Sequence, residues 1–175
     1  MVSEEIASVR RVTNCLFLAL HRRKPSAISA CYDSAGVFTT PILGDVPAKS
    51  LERLWTLFFS RTRHNALTYK IVDAGLVGAR VEGHVSYVLL DSGRRVSCPF
   101  DSVLHVRDRL IRYHVDSFDT WGWAQMAYGT KGLMLGWSNS WHRRLSNDLR
   151  SSLSLRDASH CAAPPTSVRR GSSCR

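Results

Sequence analysis

The chain has 175 residues, of which 44% are hydrophobic and 22% charged, and a formal net charge of +10. That length suits one domain, commonly about 100–150 residues, and the composition excludes fibrous, collagen-like and wholly disordered chains. The basic residues are scattered in small groups such as Arg10–Arg11, Arg22–Lys24 and Arg143–Arg144, and the segment from Ser151 contributes +3 of the +10 through Arg156, Arg169, Arg170 and Arg175 against Asp157. With no recognition helix, zinc finger or aromatic RNA-binding box beside them, these charges read as a solvated basic surface and argue against nucleic acid as a partner.

The first predicted element is a helix over residues 3–23. Ile6, Val9, Leu16, Phe17 and Leu20 recur at helical spacing, Ser3 is the expected cap, and Pro25 stops the run. A short helix over 26–32 follows, then a strand over 36–40 closed by Pro41 and Gly44. Pro47 opens a third helix with the stripe Leu51, Leu54, Trp55, Phe58 and Phe59, ending at 61–65. From Ala66 the period changes to two. Leu67, Tyr69 and Ile71 form one strand, Val81 to Leu89 a second, Val96 to Val106 a third, and Leu110 to Phe118 a fourth. The connections are too short for crossovers, so this meander is antiparallel. Asp119 and Thr120 cap a further helix, and a final one is expected over 138–149. The expected organisation is one α+β domain over residues 1–150, with a C-terminal helical extension, and a basic disordered tail over 151–175.

Five cysteines, Cys15, Cys31, Cys98, Cys161 and Cys174, show neither CxxC nor zinc-ligand spacing. Cys15, Cys31 and Cys98 read as buried thiols in a reducing compartment. Glu4 and Glu5 stand where a secretory apolar run would begin, and no apolar stretch is long enough to span a bilayer, so a cytoplasmic location is expected.

Three stretches carry a resemblance. Tyr32-Asp33-Ser34-Ala35-Gly36-Val37-Phe38, the turn Pro41–Gly44, and Arg107-Asp108-Arg109-Leu110-Ile111 with His114 to Asp119 resemble motifs of the nuclear transport factor 2-like superfamily. That superfamily includes ketosteroid isomerases, SnoaL-type polyketide cyclases and limonene epoxide hydrolase. The resemblance implies a cone-like curved antiparallel sheet wrapped by N-terminal helices, a deep apolar pocket and a homodimer. It implies no single reaction, because one fold hosts many functions.

Chemistry must therefore be read from pocket-facing polar groups. With Asp108 and Arg109 as a two-residue loop, Arg107 pairs with Leu110, Val103 with His114, and Asp101 with Asp116. This count puts Asp101, His114 and Asp116 on one face, a trio suited to acid–base work; a bulge would shift it by one. A competing pattern is the row Cys98, Phe100, Ser102, Leu104 and Val106, which faces a core and would send the trio outward. Limonene epoxide hydrolases place two pocket aspartates bridged by an arginine on the corresponding strands, but the matching position before Asp101 is Pro99. Ketosteroid isomerases carry their base just before the early proline, where this chain has Thr40.

The expected function is binding of a small hydrophobic molecule, with isomerase-, cyclase- or hydrolase-type acid–base catalysis and neither metal nor other cofactor. The alternative is a non-catalytic dimerisation or interaction module. Thr40, Trp55, Tyr69, Tyr87, Phe118 and Trp121 are the expected ligand-binding residues. His84 and His105 read as surface histidines. The tryptophan-rich segment Trp121–Trp141 suits packing, a partner or peripheral contact with a membrane.

Overall fold

The computed structural model describes residues 2–130. The predicted final helix, the tail, Trp137, Trp141, Cys161 and Cys174 lie outside the described residues.

The elements in order are α1 (Val2–His21), α2 (Pro25–Ser29), β1 (Tyr32–Thr40), β2 (Gly44–Pro47), a single-turn helix Ala48–Ser50, α3 (Leu51–Ser60), β3 (Thr62–Ala74), β4 (Gly78–Leu89), β5 (Arg95–Arg107), β6 (Leu110–Ser117) and α4 (Thr120–Tyr128). The six strands form one sheet in the order β2-β1-β6-β5-β4-β3. β3 to β6 make the expected antiparallel meander, but β1 joins β6 in parallel, so the sheet is mixed.

Local differences from expectation have plain causes. Pro25 opens α2 rather than merely ending α1, because its fixed φ suits a first helical position. Tyr32 starts β1 instead of ending a helix, and its peptide already pairs beside Ile111. Thr62–Asn65, expected at the end of a helix, belongs to β3, where Thr62 and Arg63 pair with Leu89 and Val88. Gly44 turns β1 into β2 at φ 65°, a conformation open to glycine. The β5–β6 hairpin turns on Asp108 and Arg109, both at positive φ (53° and 60°), as a two-residue turn of this handedness requires.

The helices cover one face of the sheet. Leu16 and Phe17 of α1 are fully buried, and Phe17 stacks on Tyr69 of β3 with ring centroids 4.8 Å apart. Val9, Ile28, Phe38, Leu51, Leu104 and Ile111 complete the principal core. A second cluster joins α4 to the other end of the sheet through Tyr87, Val96, Cys98, Trp123, Ala124 and Ala127. Asp119 caps α4, its Oδ1 accepting from the amides of Trp121 and Gly122 at 3.0 Å. Cys98 is buried as expected, Cys31 half-buried, and Cys15 exposed, because it falls on the outer side of α1. Among the described residues no helix is long and apolar enough to cross a membrane.

Candidate functional site

One residue decides what the site contains. Arg107 pairs with Leu110 and Val106 with Ile111, as the hairpin count predicts, but His105 pairs with Tyr113. Arg112 is the additional residue of a bulge, and beyond it every partner moves by one: Leu104 faces His114, Ser102 faces Asp116, and Asp101 faces Ser117. A one-residue slip exchanges the faces of a strand. The row Cys98, Ser102, Leu104 and Val106 does face the interior, and His114 and Asp116 share that face instead of opposing it. Asp101 does not join them. It lies exposed on the outer face, with Arg80 Nη2 3.0 Å from its Oδ1. The predicted trio is therefore corrected to a pair.

The bulge is held from β1. Arg112 reaches the Asp33 carboxylate at 2.9 Å, and Asp33 also accepts from the amide of Ala35. The neighbouring Tyr32 meets His114, its hydroxyl 2.5 Å from Nδ1. The dipeptide Tyr32-Asp33 thus fastens the displaced part of β6, one residue gripping the bulge and the other the histidine.

His114 is 1% exposed, its ring against Phe38 at 4.8 Å and Phe17 at 6.5 Å between centroids. Burial, then the charge of Asp116, pushes the Tyr32 phenol well above its ordinary range. Tyr32 therefore stays protonated and can donate to Nδ1. In that arrangement the ring carries a proton on Nε2, 2.9 Å from Asp116 Oδ1. That approach is off the N–H direction, so Nε2 lies close to the carboxylate without an aligned hydrogen bond. Ser102, the one polar member of its row and fully buried, donates to the same Oδ1 at 2.5 Å. Both contacts fall on Oδ1. Asp116, whose side chain is 21% exposed, lines the cavity.

The cavity has a volume of about 290 Å³. Its wall is mainly aromatic and aliphatic, and its floor carries His114 and Asp116. The exposed lining residues His21, Arg61, Ala66, Asp91 and Tyr128 mark the rim. Of the expected ligand-binding residues, Thr40, Trp55, Tyr87 and Phe118 line it. Tyr69 does not: it stacks on Phe17 and donates to Asn14. Trp121 is 47% exposed and outside the lining, whereas Trp123 is buried, lines the cavity and donates to Tyr87 at 2.7 Å. Spacing alone does not separate these two tryptophans, because α4 is apolar around most of its circumference. The sequence reading missed Tyr32 and Ser102; the signal for Ser102 was a lone hydroxyl in an otherwise apolar strand face. His84 and His105 are exposed, as expected. Among the described residues no group of three His, Cys, Asp or Glu side chains could hold a metal ion.

No family model and no curated protein matches the chain. Solved structures do. An NTF2-like protein from Burkholderia thailandensis is 20% identical, with a TM-score of 0.60 over 66% of this chain and 94% of its own. An LEH-like epoxide hydrolase from M. tuberculosis is 19% identical, with a TM-score of 0.55 over 77% and 92%. A protein of ketosteroid isomerase-like fold from Catenulispora acidiphila is 13% identical, with a TM-score of 0.59 over 66% and 91%. At such identities the likeness is one of fold. Together with the mixed six-stranded sheet, the helices over one face and the β1–β6 clasp, it gives this chain the α+β cone fold of the nuclear transport factor 2-like superfamily.

Proposed function

We propose that the chain is an acid–base enzyme acting on a small hydrophobic molecule held in the cavity, with Asp116 as the group that takes and returns a proton. The observation that carries this reading is that Asp116 lines an apolar cavity while one of its oxygens is held from the protein side. Oδ1 receives Ser102 and lies against His114. Contacts to Oδ1 hold the carboxylate's orientation beside an apolar wall, where it can meet a C–H or O–H bond of a molecule seated in the cavity. The Tyr32–His114 contact fixes the imidazole's orientation beside Asp116. His114 and Ser102 are positioning residues here, since both meet Asp116 at Oδ1.

The test needs no knowledge of the natural substrate. Nitrobenzisoxazole loses its ring C–H proton to a base as its N–O bond opens to a coloured cyanophenolate. A carboxylate in an apolar cavity speeds this reaction relative to acetate in water. The full chain should do so, and Asp116→Asn should remove about a hundredfold or more of the rate. Equal rates for the two proteins would sink the reading.

A second reading, assembly of two copies, has its own observation. Val103 and Val115 are direct cross-strand partners on the outer face, both exposed, beside an exposed Tyr113. Monomers seldom leave such a patch open. A homodimer through this face predicts that Val115→Asp halves the mass seen by light scattering; an unchanged mass refutes it.

A further inference from the structure

The cavity has a second polar end, and it is remote from the first. Tyr87 is 6% exposed and lines the cavity. Its oxygen accepts the indole N–H of Trp123 at 2.7 Å. A phenol can accept and also donate, and among the described residues no acceptor takes the Tyr87 proton. Burial pushes this phenol up from its ordinary range, so the proton stays on. A buried hydroxyl with its donor unspent, in an otherwise apolar space, is matched by an acceptor that enters from outside.

The register fixes where that acceptor would sit. Tyr87 pairs with Val96 and Asp116 with Ser102, both across β5. From Val96 to Ser102 the strand rises roughly 20 Å at about 3.3 Å per residue, less whatever the curvature of the sheet removes. An aromatic wall links the two ends. Ring centroids step from His114 to Phe38 (4.8 Å), to Trp55 (5.9 Å), to Phe58 (5.7 Å) and to Tyr87 (5.2 Å). Along this wall the indole N–H of Trp55 is also buried without a partner. Arg61, Asp91 and Tyr128 lie at the Tyr87 end: the amide of Leu90, next to Asp91, bonds the Arg61 carbonyl.

We infer that Tyr87 is the distal recognition donor of the cavity, binding a carbonyl or hydroxyl oxygen near the rim on an elongated, largely apolar ligand whose reactive end lies at Asp116. This rests on the cavity reading above and narrows its substrate class to molecules that carry an oxygen acceptor well removed from the labile proton. Trp123 acts through Tyr87. By donating to the phenolic oxygen it turns the hydroxyl proton away from α4 and makes it a better donor.

The test uses two rod-shaped probes of nearly equal shape, para-acetylbiphenyl with a terminal carbonyl and para-isopropylbiphenyl without one. Binding to the full chain is followed by calorimetry. The wild type should prefer the acetyl compound by about threefold to tenfold, the worth of one net hydrogen bond. Tyr87→Phe should erase that preference while leaving the isopropyl affinity unchanged, with a modest fall in melting temperature from the stranded Trp123 indole N–H. Trp123→Phe should reduce the preference without erasing it. A preference that survives in Tyr87→Phe, or an equal loss for both probes in that variant, overturns the assignment of Tyr87 alone. Failure of the wild type to bind either probe overturns the cavity reading and the assignment together. Asp116→Asn, which removes the base, should keep the preference for the acetyl compound, so loss of the distal donor and loss of the base are separately visible.

Discussion

The two faces of the β5–β6 hairpin hold similar residues in opposite circumstances. On the outer face Asp101 meets Arg80 and Arg80 also meets Glu82, all with side chains about half exposed. On the inner face Asp116 meets Ser102 and a fully buried His114. Coulomb attraction between exposed charges is weakened by water and by the entropy of holding long side chains, so the outer network contributes little to stability and constrains little. The inner group is shielded, and each polar atom there depends on its neighbour. An aspartate becomes a candidate for chemistry through its surroundings, and a single bulged residue, Arg112, decides which aspartate has them.

The sharpest way to break this contrast is to shift the register beyond the bulge. Inserting one alanine between Tyr113 and His114 would bring His114 opposite Val103 and Asp116 opposite Asp101, turning both outward. The loss should exceed about 4 kcal/mol, the range of multiple core disruptions, and chemical denaturation would show a chain no longer cooperatively folded. A milder attack is His114→Ala. It empties a fully buried site and leaves the Tyr32 hydroxyl without its partner, for a cost of about 3 kcal/mol in urea. Tyr32→Phe keeps the packing and removes one buried donor, so about 1 kcal/mol is expected.

The outer face gives the opposite expectation. Asp101→Asn and Arg80→Ala should leave the melting temperature unchanged and leave nitrobenzisoxazole opening at the wild-type rate. A clear loss in either would mean that the outer aspartate, too, serves the site.

The smallest effect concerns the point where β1 enters beside β6. Cys31, whose carbonyl accepts from the Ile111 amide, has its thiol pushed from 9.0 up to about 11, chiefly by burial and secondarily by the charge of Cys15. As pH rises, the unfolded chain loses this proton first. The contribution of Cys31 to stability is therefore complete below about pH 9 and is lost as pH climbs through 11. Alkylation read by peptide mass spectrometry should modify the exposed Cys15 at pH 8 and reach Cys31 appreciably only in stronger alkali. Equal labelling at pH 8 would contradict the burial of Cys31.

Much of the fold was legible because it is written in local pattern. The two-residue turn at Asp108-Arg109 and the Asp119 cap each depend on a few neighbouring residues and appear as read, while the change of period comes at Thr62, four residues before Ala66. The parallel pairing of β1 with β6 was not legible, since it joins segments far apart in the chain and the short apolar run of β1 has no signature of direction. The site was half legible. Alternation placed Ser102 and Leu104 inward, as they are, but hairpin counting grouped His114 and Asp116 with Asp101 on the opposite face. The extra residue that separates them has no local signature, because the grip of Asp33 on Arg112 comes from a different strand.

The measurement closest to the central claim is nitrogen-15 NMR of the histidine rings in the full chain, with exposed His84 and His105 as internal references. The claim is that the bulge turns His114 into the interior and fixes it to Tyr32. The predicted result is one ring with an unprotonated Nδ1 accepting a hydrogen bond and a slowly exchanging proton on Nε2, both altered by Tyr32→Phe. A His114 ring that averages its tautomers and exchanges as freely as those of His84 and His105 would contradict the bulged register and the site built on it.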